Sequence, residues 1–175
     1  MAWIFSLSAE CGADERQAKQ FAQYFQSMNW MLSNDRQCQC QSDIFQDMEE
    51  NWWCRIWPSN MSAIGIESPE SAYLMTELGI LFYHYLRTAP TFRYALVGVE
   101  VDEFRTYSEL LEDDTDLSIP GLVLAVEIGQ ALEMPSGFRH FAPGYVWQPY
   151  EGEVYNPLMT SPNLKSKLNE LLLVS

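Results

Sequence analysis

Apolar and polar positions change period several times along this chain, and each change marks an element. Trp3, Phe5 and Leu7 fall on one side of an alternating segment, residues 2–8, which ends in small residues before Gly12. This period of two predicts a strand. A helical period follows: Ala18, Phe21, Ala22, Phe25 and Met28 recur at the spacing of one helix face, while Arg16, Lys19, Gln20 and Gln23 occupy the other. Asp14 is its expected N-cap, with Gln17 three residues later. Ser33, Asn34 and Asp35 are turn residues, because their side chains hydrogen-bond nearby backbone, and residues 36–45 then alternate as a second strand.

Residues 51–57 are dense in strand-favouring aromatics, broken by Pro58, Ser59 and Asn60 before a short apolar piece at 61–66. They read as one interrupted strand or two short ones. Ser68, Pro69 and Glu70 combine an N-cap serine, a proline at the first helical position and a carboxylate facing the positive end of the helix dipole. A helix should begin there. Tyr73, Leu74, Leu78, Leu81, Phe82, Tyr85 and Leu86 continue it up to Thr88, Ala89 and Pro90, and Met75, Ile80 and Tyr83 make the remaining face apolar too, as expected of a helix covered on both sides. Residues 92–101 read as a buried strand rich in β-branched side chains.

The order strand, helix, strand, strand, helix, strand predicts an α+β fold, with an antiparallel or mixed sheet and helices packed on it. Its expected form is a ferredoxin-like βαββαβ core over residues 1–101, extended by residues 102–175 within a single domain. Such a topology hosts many functions and implies none. In the extension, residues 107–111 read as a short helical turn, and the apolar run 117–128 tilts towards strand through its valines and the preceding Pro120 and Gly121. Residues 134–157 interleave prolines and glycines with aromatics, so they form loop or strand and loop. Ser161 and Pro162 open a closing helix with Leu164, Leu168, Leu171 and Leu172 on one face.

Composition narrows the class. With 47% hydrophobic and 14% aromatic residues, the 175-residue chain has enough apolar surface for a core despite a net charge of −14. A pI near 4.3 and only ten Lys and Arg residues argue against nucleic-acid binding and against anionic membranes. No cationic leader or long apolar run is found, which predicts a cytoplasmic protein, and the four cysteines (Cys11, Cys38, Cys40 and Cys54) are expected as reduced, mostly buried thiols.

Charge is also unevenly distributed. Residues 100–116 hold Glu100, Asp102, Glu103, Glu109, Glu112, Asp113, Asp114 and Asp116 against Arg105, a net of −7 and half the total. Runs of charge are most often solvated faces. Here Tyr107, Leu110 and Leu111 lie among the carboxylates, which is the composition of an anchor ringed by charge. The segment is therefore the first candidate site, with Asp102, Glu103, Glu109, Glu112, Asp113 and Asp114 steering and pairing with a basic protein partner and Tyr107 anchoring it. The expected function is an acidic protein-binding module, most concretely an inhibitor or immunity protein neutralising a basic, nuclease-like toxin or another cationic protein.

The alternative is a small-molecule-binding protein or enzyme in which Phe138, Arg139, His140, Tyr145 and Trp147 form an aromatic loop pocket, with Arg139 as anion clamp and His140 as acid or base. An interaction subunit of an oligomer is a third reading. Metal and cofactor chemistry find no motif. Cys38 and Cys40 lack a second pair at ligand spacing, no phosphate-binding glycine motif is present, and a lone histidine such as His84 on an apolar helix is more often a core or interface residue than a catalyst.

Overall fold

The computed structural model describes residues 4–33, 35–59, 69–112 and 117–153, together with 166, 169 and 170. These form β1 (Phe5–Glu10), α1 (Glu15–Gln26), β2 (Asn29–Met31), β3 (Gln37–Gln46), β4 (Trp52–Pro58), α2 (Pro69–Leu86), β5 (Tyr94–Val99), α3 (Tyr107–Glu112), β6 (Val123–Ala125), α4 (Val126–Ala131), β7 (Arg139–Ala142) and β8 (Tyr145–Trp147). The strands make one antiparallel sheet in the order β2-β3-β4-β1-β5-β6-β8-β7. The fold is thus α+β. Its sheet is larger than the four-stranded core expected: β2 extends one edge, and β6, β8 and β7 extend the other.

Strand alternation sorts the core into two faces. Phe5, Leu7 and Ala9 of β1, Cys38 and Cys40 of β3, Cys54 and Ile56 of β4, and Ala95 and Val97 of β5 face α1 and α2. Trp53, Tyr94, Leu96 and Leu124 face the other way, against Leu110, Leu122 and Ile128. The predicted α1 forms as the periodicity requires, with the Asp14 carboxylate accepting from the Arg16 N–H at 2.9 Å and Ala18, Phe21, Ala22 and Phe25 buried. Helix α2 is covered on both sides; among its described side chains Glu70 and His84 are exposed, the latter edge-on to Tyr85. All four cysteines are buried and unpaired, and burial pushes the Cys38 and Cys40 thiols up to about 11 and about 12, so they stay protonated and unreactive at neutral pH.

One segment differs from expectation. The run 117–128 does not form one strand: only Val123, Leu124 and Ala125 find partners on β5 and β8, after which the chain turns into α4, where Gly129 lets Val146 and Met134 approach closely. Within 134–157, expected as loop or strand and loop, residues 139–147 form a hairpin turned by Pro143 and Gly144, the latter at φ +84°. The closing helix falls almost entirely outside the described residues, as do Ser68 and residues 61–66. No helix among the described residues is long and apolar enough to cross a membrane.

Candidate functional site

The acidic segment is built onto the second face of the sheet. Leaving β5, the chain turns at Glu100 and Glu103, both at positive φ, and folds back. Phe104 then meets the edges of Trp53 and Tyr94 at ring distances of 5.7 and 5.9 Å, and the Tyr94 hydroxyl donates to the Arg105 carbonyl at 2.8 Å. Helix α3 starts with a reciprocal cap: the Glu109 N–H donates to Thr106 Oγ1 and the Thr106 N–H to Glu109 Oε2. Leu110 is fully buried beneath it. A run of charge is thus held in place by apolar side chains facing inward.

Beneath α3 lies an ion pair. Glu10 continues the second-face positions of β1 and its side chain is fully buried between Tyr94 and Trp53 in the register. Arg93 Nε donates to Glu10 Oε1 at 3.0 Å, Nη2 donates to Oε2, and the Gly12 N–H also points at this carboxylate. The Tyr107 ring covers the Arg93 guanidinium at 4.0 Å, a cation–π contact that closes the pair from above. Burial raises the Glu10 carboxyl above its usual range against the opposing pull of Arg93. Tyr107 therefore roofs an internal charge as well as bordering the surface.

The β3–β4 turn joins this assembly. Asp47 accepts from Trp53 Nε1 at 2.8 Å and from the Glu49 and Asn51 N–H groups, which fixes the turn around a buried carboxylate. Glu49 Oε2 in turn accepts from the Ser108 N–H of α3 at 3.2 Å, and hydrogen bonds from Thr106 and Ser108 hold its carboxyl below the usual range. Turn and helix are thereby tied together. Met48 at the tip is 86% exposed, and Leu111, on the same helical face as Ser108, is 38% exposed. Met48 is followed in the chain by Glu49 and Glu50, and Leu111 by Glu112, with Glu50 and Glu112 exposed.

Of the acidic residues singled out in the sequence, Glu103, Glu109 and Glu112 are exposed, although Glu109 is engaged in capping. Asp102, half-buried, is instead engaged in an ion pair within the fold. Arg55 lies between it and Asp43, at 2.6 and 2.7 Å, and Ser8 donates to it at 3.2 Å. Asp113 and Asp114 lie outside the described residues. Met48, Glu49 and Glu50 do not stand out in the sequence pattern. Their signal is a methionine beside two acids in a short connection between two strands, visible only once both strands are paired.

The aromatic loop residues are distributed otherwise. Trp147 is fully buried against Tyr83 and Phe141, with the Arg87 guanidinium over both the Phe141 and Trp147 rings. Tyr145 stacks on Phe92 at 4.4 Å while its hydroxyl exchanges hydrogen bonds with the Phe92 backbone. Phe138 packs on the second-face cluster. Arg139 and His140 are exposed, and as neighbours on β7, opposite Trp147 and Val146, they point to opposite faces of the sheet. The structure does not bring the five together. Among the described residues, no three His, Cys, Asp or Glu side chains gather as a metal site. The chain matches no protein-family model, no curated protein and no solved structure.

Proposed function

We propose that this chain is an acidic protein-binding module that covers a cationic site on a basic partner, most concretely as an inhibitor or immunity protein of a nuclease-like toxin. A site built for phosphates presents Lys and Arg, and a surface of fixed carboxylates complements it. The observation that carries the reading is Met48, almost fully exposed on a turn fixed by Asp47, beside Glu49 and Glu50 and tied through Ser108 to the helix bearing Leu111 and Glu112. Apolar anchors ringed by charge are the composition of interface hot spots. Glu103 and the remaining carboxylates of residues 100–116 add to the field that would steer a partner in.

In this reading a ferredoxin-like core of β1, α1, β3, β4, α2 and β5 is the rigid carrier, favoured by the neighbouring order β3-β4-β1-β5, and the module works in the cytoplasm, where reduced thiols are the norm. Its test is kinetic. Glu50→Lys combined with Glu112→Lys should slow association with the basic partner by roughly tenfold or more at low salt and flatten the salt dependence of the rate. Stopped-flow mixing over a salt series reads both. Unchanged rates and salt slope would remove the assignment.

A further inference from the structure

Residues 148–153 run across α2 as a strap, and the slot beneath them is lined by glycines from separate parts of the chain. At Gly79 on α2 a Cβ would lie 2.5 Å from the Tyr150 hydroxyl and 2.8 Å from the carbon that bears it. Any larger residue would hold the tyrosine away. A Cβ at Gly121 would meet Tyr150 Cδ1 at 3.3 Å, and one at Gly98 on β5 would have Glu153 Oε1 at 3.8 Å. Tyr150 and Glu153 thus occupy the same slot, and Tyr150 is only 4% exposed. Thr76 fastens the strap: the Glu153 N–H donates to its Oγ1 at 2.8 Å, and Oγ1 donates to the Ala72 carbonyl at 2.8 Å.

Glu153, partly exposed as a residue, is the acid at this slot. The groups facing it are the Tyr150 hydroxyl of its own strap, the Tyr83 hydroxyl and neutral Thr76 of α2, and the uncharged Gly98 of β5 with Val101 beside it. No Lys or Arg among the described residues offsets its charge. Both tyrosines are themselves held neutral by burial. An ionised carboxylate in this place loses hydration with little in return, whereas a neutral carboxyl fits.

We propose that residues 148–153 form a pH-sensitive strap, seated in the glycine-lined slot while Glu153 is protonated and loosened when it ionises. Burial raises the Glu153 carboxyl from the ordinary 4.5 to about 7. The seated form therefore holds the proton more tightly than the released form. Seating is fully supported below the ordinary value, weakens as pH rises from there towards neutrality, and stays constant at its lower level beyond.

Amide hydrogen exchange on the full chain, corrected for the intrinsic pH dependence of exchange, tests this. Relative to amides of β1 and β5, protection at residues 150–153 should fall by about tenfold per pH unit across that window and then level off. In Glu153→Gln it should stay constant throughout. A second variant, Gly79→Ala, should lose strap protection at every pH while β1 and β5 keep theirs. Identical profiles for wild type and Glu153→Gln, or a Glu153 carboxyl resonance that titrates at the ordinary value, would overturn the proposal. So would a protected strap in Gly79→Ala; should that variant fail to fold, the Glu153→Gln comparison decides alone.

Discussion

Replacing Arg93 with Ala should destabilise the fold by about 3 kcal/mol, because it leaves the Glu10 carboxylate buried without its partner. The Glu10 side chain is fully buried, and Arg93 supplies two donors to it and the cation beneath Tyr107. Loss of one member of a fully buried pair costs about 3–5 kcal/mol, and the one-third exposure of Arg93 points to the lower end. The sign with pH follows from Glu10, whose carboxyl is already raised by burial and loses its main opposing influence in the variant. A carboxyl with a raised folded value contributes most below its unfolded value and loses that contribution as pH rises through the folded value. The deficit of Arg93→Ala should therefore shrink towards acid pH. Urea unfolding at neutral pH and at mildly acidic pH reads both effects, and adding Glu10→Gln should recover part of the loss.

Gly121→Ala is expected to cost about 2–4 kcal/mol, from backbone strain and from overpacking against an immovable tyrosine. Gly121 has φ +89°, a region that L side chains disfavour, and an added Cβ would collide with the Tyr83 hydroxyl. Tyr83 cannot yield. It is fully buried, donates to the Gly121 carbonyl at 2.8 Å and accepts from the Val97 N–H at 3.1 Å, beyond the two positions where β5 pairs with β6. Its ring is also held between Trp147 and Tyr150 at 5.3 and 4.9 Å. Gly144→Ala is the matched control: φ is +84° but its Cβ would enter open space, so only strain of about 1 kcal/mol should remain. Equal losses in the two variants would show that Tyr83 is not the obstacle.

Local signals carried much of the fold. Asp14 capped α1 where the helical period of the apolar residues placed it, and Pro69 opened α2 at its first residue. The alternation of Cys38 and Cys40 also set them on one face of β3. What escaped were elements defined by partners distant in sequence. Strand β2 has only three residues, with Trp30 alone facing inward, too few to show a period. Helix α4 takes over a valine-rich run because pairing with β5 and β8 ends at Ala125. The acidic segment was legible as charge, but its arrangement was not. Glu10 and Arg93 lie 83 positions apart, and Ser108 and Glu49 59 apart, so neither the roof formed by Tyr107 nor the link that sets Met48 beside α3 leaves a mark on the local pattern. The loop aromatics read as a pocket because burial in a core and lining of a cavity demand the same residues; Trp147 and Tyr145 are in the core or against it.

A low-salt affinity capture from the native cell, run in parallel with wild type and the Met48→Ala, Glu50→Lys, Glu112→Lys variant and eluted by a salt gradient, tests the acidic docking surface most directly. Wild type should retain a basic protein, rising salt should release it, and the variant should fail to hold it. Equal retention by both chains, or a retained partner with no cationic surface, would contradict it.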